Sequence, residues 1–115
     1  MLNLPAQLRV FLCTRPTDMR KSFDGLHGLV LDVVRQNPQS GDLFVFLNRR
    51  RDHVKILWWD GDGLAIWYKR LEIGTFALPD HDGDSVKLAP AQLALLLGGI
   101  DLRATRPRKR YRRVG

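Results

Sequence analysis

Between residues 41 and 71 the chain alternates apolar runs with short polar breaks. The runs at Leu43–Leu47, 54–59 and 64–68 are rich in β-branched and aromatic residues and predict an antiparallel meander. The break after the first run holds Arg49, Arg50 and Arg51. The second break is Asp60-Gly61-Asp62-Gly63, whose glycines accept the positive φ angles of a tight hairpin. A two-residue turn at Arg50-Arg51 and a three-residue loop over 61–63 place Leu43, Val45, Leu47, Val54, Ile56, Trp58, Leu64, Ile66 and Tyr68 on one face. That face reads as core for a helix to cover. The opposite face carries Phe44, Phe46, His53, Lys55, Leu57, Trp59, Ala65, Trp67 and Lys69, and two readings of it stay open. Either it is a second buried layer from which the lysines snorkel outward, or it is a surface on which bases stack while Lys55 and Lys69 meet phosphate.

Upstream, residues 8–14 (LRVFLCT) predict a first strand, stopped by Arg15-Pro16. Phe23, Leu26, Leu29, Val30, Val33 and Val34 then recur at helical spacing, with Asp18 or Ser22 as the cap and Asn37-Pro38 as the stop. Gly25 and Gly28 weaken this helix by up to about 1 kcal/mol each relative to Ala, or else let a strand approach closely. Residues 72–84 have the Gly, Pro and Asp density of a loop, and 86–88 predict a short strand. Pro90 opens a second helix with an apolar stripe of Leu93, Leu96, Leu97 and Ile100, stopped by Gly98-Gly99. The expected fold is α+β: a small antiparallel β-meander packed with two helices in a single domain over residues 1–102, followed by a flexible basic C-terminal tail over 103–115.

Composition adds three constraints. At 115 residues the chain suits one core, and 44% hydrophobic with 27% charged residues is an ordinary globular balance. The apolar runs fall far short of the roughly 20 residues that span a bilayer, and the N-terminus does not read as a signal peptide, so the expectation is a cytoplasmic protein without membrane contact. The single Cys13 excludes an intrachain disulfide and reads as a small apolar strand residue. The net charge of +7 is localised. Arg103, Arg106, Arg108, Lys109, Arg110, Arg112 and Arg113 stand in the last thirteen residues without an acid, which leaves 12 of the 19 Lys and Arg to balance 12 Asp and Glu elsewhere.

Catalytic chemistry is thin. Asp60 with Asp62, and Asp80 with Asp82 and Asp84, have the oxygen ligands for a hard cation, but each stands beside Gly where Asp bonds its own turn. His27, His53 and His81 are scattered, and no serine lies in a nucleophile elbow. Neither a metal nor an organic cofactor is expected. Electrostatics remains: the Arg49 to Arg51 turn and the tail cations are of the type that holds phosphate in bidentate fashion.

Three segments, DMRKSFDGL (18–26), GDLFVFLNRRRDHVKILWWDGDGLAIWYKRLEIGTF (41–76) and LAPAQLALLLGGID (88–101), together resemble the accessory proteins encoded by the second reading frame of IS66-type bacterial insertion sequences, the IS66 TnpB family. Ala89 stands where that family more often has a hydroxyl residue, which would remove a helix cap at a cost of about 1 kcal/mol. The resemblance implies a noncatalytic role in DNA transposition, with element-end DNA and the separate transposase as partners. A protein-interaction adaptor without DNA contact is the rival reading, and a small metal-dependent nuclease using Asp60 and Asp62 is a third. If all seven tail cations meet phosphates on duplex DNA, a plot of log K against log salt has a slope of roughly −6. Titration of binding against salt checks this, and a slope near zero removes the tail from the interface.

Overall fold

Five strands and two helices form the described part of the chain, residues 8–98 of the computed structural model. The expected tail and Ile100 lie outside the described residues. In chain order the elements are β1 (Val10–Cys13), α1 (Phe23–Leu29) continuing into wider π-type turns (Val30–Val34), β2 (Leu43–Leu47), β3 (His53–Trp59), β4 (Leu64–Arg70), β5 (Ser85–Leu88) and α2 (Pro90–Gly98). The sheet order is β4-β3-β2-β1-β5. The meander β2-β3-β4 is therefore present, and β1 extends it by pairing parallel to β2 and antiparallel to β5.

Every residue of β1 and β2 is buried, the pattern of strands covered on both faces. On one face Val10, Leu12, Leu43, Val45, Leu47, Val54 and Ile56 meet Phe76, Leu93 and Leu96. On the other, Phe11, Cys13, Phe44, Phe46 and Leu57 meet Leu26, Val30 and Val34 of the first helical segment. Full burial of a side chain such as Phe44 or Phe46 is worth about 1.5–3 kcal/mol.

Two expectations are corrected. The turn after β3 is one residue tighter than a three-residue loop: Asp60 donates its N–H to the Gly63 carbonyl at 2.8 Å, and Gly61 takes φ +85°. That single residue flips β4. Trp67 now faces Ile56 and lies with Trp58 in the α2-side core, while Leu64, Ile66 and Tyr68 turn to the α1 side. The first helix also covers the opposite face from the one expected. Alternation cannot choose between the faces, whereas a crossover between parallel neighbours has a fixed hand and so a fixed side. Of the two readings of the mixed face, the buried layer describes Phe44, Phe46 and Leu57.

Local signals fare unevenly. Ser22 is the N-terminal boundary of α1 through its carbonyl, which accepts from Leu26, but its hydroxyl makes no capping bond. The helical segment ends at Arg35, in the left-handed region at φ 60°, before Asn37-Pro38 is reached. Gly25 faces the Lys21 side chain and Gly28 has open space where a Cβ would stand, so neither admits a strand. At α2 the missing hydroxyl cap is offset from the other direction. Gln92 reaches back and its Oε1 accepts the Ala89 N–H at 2.7 Å, half of a capping box.

Lys55 is the main surprise. Its side chain lies in the buried layer, 8% exposed, and its Nζ donates to the carbonyls of Met19 (2.8 Å) and Lys21 (2.7 Å) while sitting 4.8 Å over the Tyr68 ring. This ammonium ties the segment before α1 to the sheet and is turned away from solvent, so the expectation that Lys55 meets phosphate is withdrawn. Lys55→Met strands two inward-facing carbonyls and is expected to cost about 2–3 kcal/mol in urea unfolding. Lys69→Met, on the exposed part of β4, is expected to change stability by about 0.5 kcal/mol or less.

Candidate nucleic-acid interface

The β2–β3 connection is built by one asparagine. Asn48 Oδ1 accepts the backbone N–H groups of Asp52 and His53, both at 3.0 Å, and its Nδ2 donates to Asp52 Oδ1 at 2.7 Å. Its carbonyl accepts from Arg51 N–H at 3.1 Å, closing a turn in which Arg51 sits at φ 58°. The frame is tied outward as well: Phe76 N–H donates to the Arg51 carbonyl and Leu71 N–H to the Asp52 carbonyl, each at 2.7 Å. With the backbone held at so many points, Arg49, Arg50 and Arg51 project their side chains into solvent from a fixed base.

A second loop lies against this turn. Thr17, itself buried, donates its N–H to the Leu47 carbonyl at 2.8 Å, which brings residues 15–21 beside the arginines. Between them opens a hollow of about 440 Å³, lined by Pro16, Thr17, Asp18, Met19, Asn48, Arg49, Arg50 and His53. A smaller hollow of about 250 Å³ has Arg15, Arg49 and Arg51 in its wall. Arg15 thus joins the Arg turn in one cationic surface. Sequence reasoning missed it because Arg15-Pro16 was read only as the stop of the first strand.

Some of these cations are already paired. Arg20 grips Asp18 at 2.6 Å and Arg15 contacts Asp84 at 3.0 Å, both exposed pairs of modest energy. The Arg20 bonds hold the Asp18 carboxyl well below the usual range, at about 2. Asp52 is also held low, chiefly by the Asn48 amide. His53 Nδ1 lies 2.6 Å from the Tyr68 hydroxyl. The remaining expected contacts do not gather here. Lys69 borders a separate hollow of about 380 Å³ with Arg70, Glu72 and Leu97. Arg103, Arg106, Arg108, Lys109, Arg110, Arg112 and Arg113 lie outside the described residues. Asp60 and Asp62 are exposed in the β3–β4 turn, and among the described residues no cluster of three or more His, Cys, Asp or Glu could hold a metal ion. Burial raises the Cys13 thiol above its ordinary pKa. No described helix is long and apolar enough to cross a membrane.

Comparison with known proteins gives a consistent result. The model of the family described as "IS66 Orf2 like protein" matches residues 8–107. A Sinorhizobium fredii protein, "Uncharacterized protein y4hO", is 40% identical over 115 residues, the whole of both chains. A second from the same organism, "Uncharacterized protein y4jC", is 34% identical over 101 residues, 88% of this chain and 86% of its own. No solved structure matches.

Because the folded pKa of Asp18 is depressed, its contribution to stability is present above the unfolded value of about 3.9 and is lost as pH falls through about 2. A carboxylate-detected NMR titration is expected to place its midpoint near 2. Arg20→Gln should move that midpoint up toward about 3.9, and an unmoved midpoint would mean that Arg20 is not the cause.

Proposed function

This chain belongs to the IS66 Orf2-like family, whose role is accessory to transposition, and from that premise we propose that it is a noncatalytic factor that binds DNA at the element ends and thereby assists the separate transposase. The observation that carries the reading is the cationic surface formed by Arg49, Arg50 and Arg51 with the loop at residues 15–21. Arginines on a backbone fixed by hydrogen bonds lose less freedom on meeting phosphate than arginines on a loose loop, so more of their electrostatic attraction is kept as affinity. In this reading the tail cations add nonspecific phosphate contacts. No helix of the described residues has the arrangement of a groove-reading motif, and the expected recognition is of backbone and shape rather than of base edges.

The test is a mobility shift on element-end DNA with the full chain, a chain lacking residues 103–115, and an Arg49→Gln/Arg50→Gln/Arg51→Gln variant. Neutralising the turn is expected to weaken binding and to reduce the magnitude of the salt slope by roughly 3. Unchanged binding would exclude the turn from the interface. A pull-down of the transposase repeated after nuclease treatment decides the adaptor reading: retention of the transposase by a chain that shifts no DNA would favour it.

A further inference from the structure

β4 is the last strand on its side of the sheet, and among the described residues nothing pairs with its outer edge. The ladder to β3 determines which groups point there. Leu71 donates its N–H inward to Asp52, and the Gly63 carbonyl accepts inward from Asp60. Bonding residues alternate in an antiparallel ladder, and the register runs unbroken from His53 opposite Arg70 to Trp59 opposite Leu64. Ala65, Trp67 and Lys69 therefore bond to β3, while Leu64, Ile66, Tyr68 and Arg70 aim their N–H and C=O groups outward. This edge is seven residues long with no proline and no bulge, and its charges are confined to Lys69 and Arg70. It lacks most of the devices that keep edges from pairing. The opposite edge, β5, has four residues and runs at once into Ala89-Pro90.

We propose that the β4 edge pairs with β4 of a second copy of this chain, antiparallel about a two-fold axis at Ile66, to make one continuous ten-stranded sheet. A two-fold axis pairs residues whose numbers have a constant sum, and only an even sum brings outward groups to outward groups. With the axis at Ile66, Leu64 meets Tyr68 of the second copy and Ala65 meets Trp67, small against large. Asp62 in the acidic turn then stands opposite Arg70, twice over by symmetry. Moving the axis to Trp67 sets Asp62 against Glu72, like against like. Moving it to Ala65 leaves only Leu64, Ala65 and Ile66 paired within the strand. Charge and overlap together select Ile66. The pairing also brings the strand of a second copy alongside Tyr68, which is 48% exposed at this edge. The interface is isologous and closes as a dimer, because each copy has one such edge.

Sedimentation of the nuclease-treated full chain is expected to give a mass rising with concentration from 13.2 kDa to twice that value. Amide exchange supplies a signature that only pairing at the β4 edge gives. The Leu64, Ile66 and Tyr68 amides slow as concentration rises, whereas those of Ala65, Trp67 and Lys69 are protected throughout. Asp62→Arg is expected to weaken the dimer about tenfold, and Asp62→Arg combined with Arg70→Asp to restore it. A mass of one chain at every concentration overturns the proposal, as does a dimer in which the Leu64, Ile66 and Tyr68 amides exchange rapidly. Protection of those amides in a chain that stays monomeric also overturns it, since the edge would then be covered from within.

Discussion

Burying both faces of β1 and β2 is the constraint from which the other features follow. A two-sided central pair needs a cover on each side, and among the described residues two helical segments and Phe76 provide it. The first helical segment must cross over one face to make β1 and β2 parallel, so α2 and the 72–84 connection fall to the other. Where the first cover begins, its leading backbone would leave carbonyls facing the sheet without partners. Lys55 answers them. A charged residue in the middle of an apolar strand is thus part of the packing, and it holds the 15–21 segment where the cationic surface needs it.

What could be read from the residues was mainly what is local. The strands from 43 to 70, the helical spacing from 23 to 34 and Pro90 as a helix start are each written within a few residues. The β2–β3 register was legible because Leu47 and Val54 bracket a polar turn whose length admits one pairing. The β3–β4 register was not, since Asp60-Gly61-Asp62-Gly63 is compatible with two loop lengths and only packing chooses between them. The parallel pairing of β1 with β2 is nonlocal and leaves no periodic trace. Lys55 misled for a related reason: alternation reports a side chain's face and says nothing of what waits there. In the candidate site the arginines of the turn stood out by charge, but Arg15 joins them only through the contact of Thr17 with Leu47, which links residues thirty apart.

Two sources of positive charge can now be separated by what holds them. In the described residues the cations sit on backbone pinned by Asn48, Leu71, Phe76 and Lys55, and two, Arg20 and Arg15, are balanced by Asp18 and Asp84. The seven in the final residues are balanced by no acid of their own segment. A polyanion approaching the first set meets a shaped surface with partial neutralisation, which favours geometry over strength.

Arg51 carries a further consequence. It occupies the left-handed region at φ 58°, where a side chain with a Cβ is less comfortable than glycine by roughly 1 kcal/mol. A glycine there would relax the turn and remove a guanidinium in the same step. At this position folding and charge pull in opposite directions, so selecting variants of the chain for thermal robustness alone would drift toward a sturdier protein with a blunter cationic surface.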